Sequence, residues 1–556
     1  MRMRLPILNY LRQKGLKAVT FLNIQLSLAV IMESNVYYVE DKTSAFILFY
    51  GNAFKIEKLP RGTRVIYPPM PIMPLDNPHT VIENVLENPI GRKPLSHILK
   101  KGMSVTIAFD DLSLPLPPMK SPDLRQTAIE IILEKLKKAE IADIHLIAGI
   151  CLHRKMSKEE LVEMLGREIV DEYYPGRLYN HDAEDRDNMK YIGRTVNHEE
   201  VFINKRVAES DLVIYVNINF VSMDGGHKSF GTGLADYHTV RHNHNVDTLM
   251  HSLSYFDPEK SRMHHILERQ GRLIEKSLNT FHLEMALNND TFPEHLKFLQ
   301  KRHYEMNALD KIACRVIAGL TSMMSAELQR KVAQSIRSNY GMISAYAGEV
   351  EAVHKKILEQ NFRQYEVEVK GQCDILIGGI PDMSPYNVNS ILNPVLFVCL
   401  VHGYFFNLYR NMPLLRKGGV LIAVHPLRNE FHKVHHPSYI DFYNNVLSKT
   451  LDTSEIENKF EKEFATNPEY IRLYRESNAF HGVHPFYMWY WGCYGLSYIG
   501  KTIVVGAKDR SVIERLKFGY ARNVKEAVKI AKDFLKNDKP EITYIKVPPI
   551  LSVHVK

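Results

Sequence analysis

Short apolar runs separated by helical patterns are the feature that most constrains the fold of this chain. Each run is rich in valine, isoleucine or leucine and has the length of a strand. The runs are Val105–Phe109, Ile144–Ala148, Asp211–Val216, Asp374–Ile377, Val420–Val424 and Thr502–Val505. Runs of this kind with helices between them are typical of buried parallel strands. The pattern therefore predicts an α/β protein with mainly parallel sheets.

End signals mark several of the helices between these runs. Ser121 followed by Pro122 predicts a helix start, because apolar residues at helical spacing come after it. Ser157 and Glu160 form a capping-box pattern, and Gly166 predicts the end of that helix. The aromatic run Phe486–Trp491 is typical of a core helix rather than of a surface that stacks on a substrate.

The length of 556 residues allows two or three domains. We interpret residues 1–31, which are basic and contain no acidic residue, as an N-terminal extension. A boundary near residue 280 would separate an N-terminal α/β domain, residues 32–280, from a second α/β domain, residues 281–556. Charged helical patterns near 291–339 predict a helical insertion in the second domain.

Composition limits the partners and the compartment. The 71 basic and 63 acidic residues give a net charge of +8, but residues 1–31 carry much of the excess. The nearly neutral remainder argues against nucleic acid as the main partner. The 5 cysteines form no C-x-x-C pair, which fits a reducing compartment, and no apolar run reaches the roughly 20 residues of a membrane helix. We therefore expect a cytoplasmic protein that binds neither nucleic acid nor a membrane.

Chemically active residues follow four of the predicted strands. The carboxyl ends of parallel strands meet at one edge of a sheet, where ligands usually bind. The residues at these ends are Asp110 and Asp111, His153 and Arg154, Asp224–Lys228 with His238, His242 and His244 beyond it, and Gly378–Asp382. The sequence thus predicts a ligand site that combines carboxylates, imidazoles, a lysine and glycines.

Each of these signals also has a structural explanation. The paired aspartates could cap a turn, and Gly225 with Gly226 could form an ordinary turn. The three histidines after Lys228 could bind a metal, but no cysteine lies nearby, which argues against a closed zinc site. An open site with one histidine ligand and the other ligands from a cofactor stays allowed.

Taken together, these segments resemble the nickel-dependent lactate racemase family, whose members use a nickel-pincer nucleotide. The matching motifs are Phe109–Asp111, Gly149–Arg154, Asn180–Ala183, Gly225–Lys228, Asn243–His244, Ala347–Glu349, Gly378–Pro381 and Gly418–Gly419. They occur in family order from about Met32 to Val547, with residues 291–339 as an apparent insertion. The chain is identified as a divergent member on this shared order. The resemblance implies that cofactor and substrate lie in a cleft between the two domains.

The resemblance implies a cofactor site made of five residues. Lys228 would be the covalent attachment point of the nickel-pincer nucleotide, and His244 would be the protein ligand to nickel. Asp111, Gly225 and Gly226 would complete the site.

The resemblance also implies which residues act on the substrate. His153 would be the general base that removes the hydroxyl proton while hydride leaves the α-carbon for the cofactor. Arg154, Asn387 and Ser390 would contact the substrate.

Three positions depart from the family pattern. Leu114 stands where the family has an arginine, so a bidentate clamp for a carboxylate is missing. Ile218 stands where the family has a second catalytic histidine, and Asp224 and Tyr237 are the nearest candidates to replace it. Tyr386–Ser390 stands where the family has a glutamine and a lysine, and its amides and hydroxyl suit a polyhydroxylated or larger substrate.

These observations lead to one main hypothesis and two alternatives. The main hypothesis is an isomerase that racemises or epimerises a 2-hydroxy acid or sugar acid other than lactate, served by cofactor-maturation proteins. The alternatives are a hydride-transfer enzyme that does not interconvert stereoisomers and a catalytically impaired nucleotide-binding protein of the same fold. A nicotinamide dehydrogenase fits less well, because no G-x-G-x-x-G motif opens a helix after a strand.

Overall fold

Two mainly parallel sheets with helices around them form the protein, so the predicted α/β class is confirmed. The computed structural model describes residues 35–113 and 117–556. All the apolar runs that were predicted to be strands are strands. The extension 1–31 and Leu114 lie outside the described residues.

The first sheet carries most of the chemically active residues at the ends of its strands. In spatial order its strands are Leu178–Asn180, Asp143–Gly149, Ser104–Asp110, Leu212–Asn219, Thr280–Leu287 and Met342–Gly348. Neighbouring strands are parallel except for the last pair, which is antiparallel. Leu212–Asn219 is buried along its whole length, because Ile214 packs into the core on one face and Val213 into the core on the other.

The second sheet contains strands from the beginning and from the end of the described chain. In spatial order its strands are Val36–Tyr38, Arg64–Ile66, Ile542–Ile545, Cys373–Gly379, Leu415–Val424, Lys501–Val505 and Gly519–Ala521. Only the first pair is antiparallel. The parallel order brings the carboxyl ends of Cys373–Gly379 and Ile542–Ile545 to the same edge.

Smaller pairings and many helices surround the two sheets. The remaining strands are Glu366–Val369, Tyr409–Arg410 and Ser552–Val555 in a three-stranded sheet, and the hairpins Phe46–Tyr50 with Ala53–Glu57 and Met189–Arg194 with Glu200–Asn204. The α-helices are Pro78–Glu87, Leu95–Ile98, Leu124–Lys138, Lys158–Leu165, Arg167–Tyr173, Lys205–Glu209, Tyr237–Arg241, Val246–Met250, Arg262–Ser277, Ala308–Met323, Ala326–Ser335, Val350–Tyr365, Pro394–Val398, Pro437–Asp441, Thr453–Ile456, Lys462–Ala465, Pro468–Glu476, His484–Trp491, Cys493–Tyr498, Arg510–Arg515 and Val524–Leu535. Within the part of the chain that the structure describes, none of these helices has the length and apolarity needed to cross a bilayer.

The domain boundary predicted near residue 280 does not match the sheets. Thr280–Leu287 and Met342–Gly348 pair within the first sheet, and Val36–Tyr38 belongs to the second. The strand Thr280–Leu287 is fully buried although it contains His282 and Glu284, so its charged residues hid the strand pattern. The helices between these two first-sheet strands lie in the range where a helical insertion was predicted.

The predicted helix signals can be compared with the structure, and the predicted end at Gly166 is confirmed, since Gly166 is the C-cap of the helix Lys158–Leu165. The Ser157 capping box is present, since the Ser157 hydroxyl accepts from the amide of Glu160 and the Glu160 carboxylate accepts from the amide of Ser157. The predicted Ser121 cap is wrong, because Asp123 caps the helix Leu124–Lys138 by accepting from the amide of Arg125. The aromatic run predicted to be core lies in the buried helix His484–Trp491.

Candidate active site

A cavity lies between the two sheets and is lined from both sides. Loops after first-sheet strands contribute His153, which follows Asp143–Gly149, and Lys228, which follows Leu212–Asn219. The opposite wall includes Pro381 and Tyr386, which follow Cys373–Gly379. His153, Lys228 and His244 therefore face one cavity, as expected for a site at the carboxyl ends of parallel strands.

A second, more polar cavity adjoins the first. Both cavities are lined by Ser113, His153, Asp224, Lys228 and Thr232. The polar cavity is also bounded by Asp110, Asp111, Gly149, Ile218, Gly225 and Ser229. The combined space thus has a polar half on the first sheet and an apolar half that reaches the second.

His153 is held by the residues that follow the neighbouring strand. Its Nδ1 lies 2.9 Å from Oδ2 of Asp111 and 3.1 Å from the Ser113 hydroxyl. Asp111 is an ionised acceptor, because the effect of burial on its pKa is outweighed by His153 and the Ser113 amide, and the pKa is lowered overall. Nδ1 therefore carries the proton, and Nε2 of His153 has no protein hydrogen bond within the described residues.

His244 is a neutral imidazole with a defined tautomer. Its Nδ1 donates to Oδ1 of Asn243 at 2.5 Å, and the Asn243 amide nitrogen donates in turn to Gln270 at 2.8 Å. Burial, with further contributions from Lys228 and His153, lowers the pKa of His244 to about 3. In the described chain Nε2 of His244 has no hydrogen-bond partner, which leaves a lone pair available to a metal.

Lys228 has no hydrogen-bond acceptor or ion-pair partner among the described residues, although it lines both cavities. Its positive charge lies near Asp224. The carboxylate of Asp224 accepts hydrogen bonds of 3.2 Å from the backbone amides of Phe220 and Val221. Burial raises the pKa of Asp224 despite the opposing effect of Lys228. The amine is thus available for chemistry in the cavity.

Asp110 adds little negative charge to the polar cavity at neutral pH. Burial raises the pKa of Asp110 to about 8, so this carboxyl is largely protonated at neutral pH. Its Oδ2 accepts from the side-chain amide of Asn217 and from the amide of Ile218. The cavity can therefore hold an anionic group beside Lys228 without repulsion from this residue.

The two glycines predicted for the cofactor site are required by the packing behind it. Gly225 and Gly226 have φ of 77° and 58°, which side chains rarely adopt. A Cβ at Gly225 would meet the carboxylate of Glu284, and one at Gly226 would lie 2.7 Å from the ring of His354. Gly225 lines the polar cavity, whereas Gly226 lines neither cavity.

The structure does not bring the predicted substrate residues to the cavity of Lys228. Both guanidinium nitrogens of Arg154 bond to Glu160, at 2.7 and 2.9 Å, and one also donates to the Val388 carbonyl. Asn387 and Ser390 line a separate cavity that meets the main one at Met383. These side chains stabilise the wall of the site instead.

Several residues of the site carry no sequence signal. Tyr386 and Tyr404 line the main cavity and share a hydrogen bond of 3.0 Å between their hydroxyls. Trp491, from the aromatic run, packs 5.7 Å from His244 between ring centres. They come from distant parts of the chain, so only the aromatic run itself could have indicated one of them.

Comparisons with known proteins find sequence similarity to lactate racemases. The sequence model of the lactate racemase N-terminal domain matches residues 50–255. A lactate racemase from Lactiplantibacillus plantarum is 25% identical over 252 residues, which are 44% of this chain and 54% of that protein. One from Thermoanaerobacterium thermosaccharolyticum is 25% identical over 169 residues, 30% of this chain and 37% of that protein. The match spans about half or less of the length of these relatives.

The fold is also similar to a solved structure. The lactate racemase apoprotein from Thermoanaerobacterium thermosaccharolyticum superposes with a TM-score of 0.61 at 18% identity. The superposition covers 92% of this chain and 100% of that one. The shared fold therefore includes both sheets, beyond the range that the sequence matches cover.

Proposed function

We propose that the chain is a divergent member of the lactate racemase family and that it racemises or epimerises a 2-hydroxy acid; its similarity to lactate racemases in sequence and in fold supports this. The observation that carries the proposal is the convergence of His153, Lys228 and His244 on one cavity. There His153 would act as the base, Lys228 offers an amine without a hydrogen-bond partner among the described residues, and the neutral His244 would bind the metal.

The residues present fit a nickel-pincer nucleotide. Lys228 would hold it covalently and Nε2 of His244 would bind the nickel, since neither atom has a protein partner within the described chain. The polar cavity with Ser229 and the largely protonated Asp110 would hold the nucleotide part. When bound, this cofactor supplies a reversible acceptor for hydride from the α-carbon of the substrate.

The proton transfer is assigned to His153. Its Nε2 would take the proton of the substrate hydroxyl and return it, while Asp111 holds the ring and stabilises the imidazolium. Ser113 shares Nδ1 with Asp111 and keeps the ring in the same orientation.

A second proton-transfer group must replace the histidine that this chain lacks, and we assign that role to Asp224. Ile218, at the position concerned, is buried and cannot transfer a proton. Of the two candidates named from the sequence, Tyr237 donates to Glu461 and lines neither cavity, whereas Asp224 lines both. Its raised pKa suits an acid that can protonate and deprotonate a hydroxyl.

The walls of the main cavity favour a substrate with an apolar body. Leu400, Phe405, Leu408 and Ile550 line the half that faces the second sheet. Asn387 and Ser390, which were expected to contact a sugar acid, line a different cavity. We therefore favour an aromatic or branched 2-hydroxy acid over a sugar acid and over lactate.

The same geometry also fits a hydride-transfer enzyme without stereoisomer exchange, because His153 is the one histidine assigned as a base among the described residues that line the cavity. Cofactor-maturation proteins and a cytoplasmic location belong to the proposal as well. The cytoplasmic location is supported by the five cysteines, which are buried and form no disulfide.

The test uses protein co-expressed with cofactor-making enzymes. Intact mass and nickel analysis should find an adduct and nickel in the wild type and neither in Lys228→Ala, with Lys190→Ala as the matched surface control. Single enantiomers of lactate, 3-phenyllactate, mandelate and gluconate are then followed by chiral chromatography. We expect 3-phenyllactate or mandelate to be racemised fastest. A fully loaded protein that interconverts no enantiomers would contradict the proposal and favour one of the alternatives.

A further inference from the structure

A separate cavity lies on the far side of the second sheet from the active site, since Phe46 and Tyr67 belong to the core on one face and Phe405 and Leu408 to the core on the other. It is formed by the hairpin strand Phe46–Tyr50, the helix Ala308–Met323 and the residue after the strand Ile542–Ile545. It shares no lining residue with the cavity of His153 and Lys228. Nothing in the proposed reaction uses it.

The basic side chains of this cavity are three cations and one imidazole, His303, whose pKa burial lowers to about 4. Lys546, Lys311, Arg315 and His303 line it, and no aspartate or glutamate is among its described lining residues. Lys311 and Arg315 are four residues apart on one helix, so they lie on the same face. The nearby carboxylate of Asp310 does not neutralise them, because it pairs with Lys301 at 2.8 Å.

Lys546 is a buried amine with few partners. It is 7% exposed, donates to the Lys301 carbonyl at 2.5 Å and lies 5.7 Å from the centre of the Tyr67 ring. No carboxylate forms an ion pair with it in the described chain. Burying a cation without an ion-pair partner is unfavourable, and burial lowers the pKa of Lys546 to about 8 although the charge of Glu305 acts in the opposite direction. Glu305 itself accepts a hydrogen bond from the amide of Arg302 at 3.1 Å.

Most of the remaining wall is apolar. Phe46, Ile47, Ile56 and Met306 line it, and the ring of His303 stacks on Phe46 with 4.2 Å between centres. Nε2 of His303 bonds to the Ser44 hydroxyl at 3.0 Å, which fixes the ring. The cavity thus combines a buried cation and basic residues with an apolar wall.

We propose that this cavity is a binding site for a small organic anion, whose carboxylate or phosphate contacts Lys546 and whose apolar body packs on Phe46. Lys311 and Arg315 attract the anion from the helix Ala308–Met323. The site is independent of the proposed racemase chemistry, since it needs neither nickel nor Lys228.

Isothermal titration calorimetry of the full chain with inorganic phosphate and with benzoate tests this site. We expect at least one probe to bind, and the pair identifies the preferred head group. The double variant Lys311→Gln with Arg315→Gln should weaken binding by about tenfold or more, as expected for the loss of charge-assisted contacts. Lys546→Met should abolish it, whereas the surface control Lys525→Gln should leave it unchanged.

Anions could also enter the active site, so Lys228→Gln is the second control. Binding that survives Lys228→Gln and is weakened by the double variant supports the anion site. The proposal is overturned if neither probe binds, if the double variant binds as well as the wild type, or if Lys228→Gln abolishes binding. The double variant keeps the test valid if Lys546→Met does not fold, because Lys311 and Arg315 are not fully buried.

Discussion

Nδ1 of His153 and Oδ2 of Asp111 lie 2.9 Å apart, across two adjacent strands of the first sheet. The strands Ser104–Asp110 and Asp143–Gly149 are in parallel register, so the residues that follow them are neighbours in space. The contact orients the imidazole, because an ionised carboxylate can only accept a hydrogen bond. It therefore decides which nitrogen of His153 faces the cavity.

Replacing His153 by asparagine should lower turnover by about 10²–10⁴-fold, because a side chain that transfers a proton contributes about this factor. Nickel content and thermal stability should change little, since Asn keeps the polarity of the site. His79→Asn, at an exposed position of the helix Pro78–Glu87, is the matched control. Steady-state rates of the nickel-loaded variants decide the point, and normal turnover in His153→Asn would remove the residue from the mechanism.

Asn243 should matter for the metal although it does not touch the cavity. Asn243→Ala removes the acceptor for Nδ1 of His244, and losses of such contacts weaken metal binding by about 10–100-fold. Asn243→Asp keeps an acceptor and should retain most of the nickel. Metal analysis during a chelator challenge measures this, with circular dichroism to verify folding. Equal retention by the alanine variant and the wild type would contradict the role of His244.

Asp110 should make stability fall as the pH rises towards 8. Its folded pKa of about 8 lies above the unfolded value, so the folded state binds the extra proton and this contribution is lost as the pH passes through 8. Asp110→Asn cannot titrate, and its stability relative to the wild type should increase from pH 5 to pH 8. Urea denaturation at several pH values measures the difference, and the exposed Asp187→Asn should show no such trend.

Gly225→Ala should destabilise the protein by about 1–3 kcal/mol or more, since it combines a strained backbone with a steric clash. The new Cβ would collide with Glu284 and with the side chain of Asn217. Gly176→Ala, which meets no atom within 4 Å, is the control. Denaturant unfolding of the two variants gives the comparison. An unchanged midpoint for Gly225→Ala would mean that the loop can shift, and the glycine would then be explained by ligand approach.

Most strands could be predicted from the sequence because buried strands are locally rich in apolar residues. Val420–Val424 and Thr502–Val505 are apolar whatever surrounds them. The strand Thr280–Leu287 was missed since His282 and Glu284 are polar, and their burial is explained only by partners such as His354, 3.1 Å from Glu284. A contact between residues that far apart in the chain leaves no local pattern.

The part of the site that was predictable consists of residues that follow strands, including Pro381 after a strand of the second sheet. His153, Lys228 and His244 follow strands or lie soon after them, so strand order was enough to bring them together. Arg154 also follows a strand, but its guanidinium forms an ion pair with Glu160 and does not line the cavity. Tyr386 and Trp491 line the cavity because of how the second half of the chain packs. Which side chains at a strand end face the cavity depends on partners that the sequence does not reveal.

Lys546 and Val547 are consecutive residues, yet Lys546 lines the cavity proposed to bind an organic anion and Val547 lines the active-site cavity. The peptide unit that joins Lys546 to Val547 thus forms part of the wall between the two cavities. Any displacement of this segment by an occupant on one side changes the shape presented on the other. By thermodynamic reciprocity, an anion that alters the affinity for substrate must have its own affinity altered by substrate to the same factor.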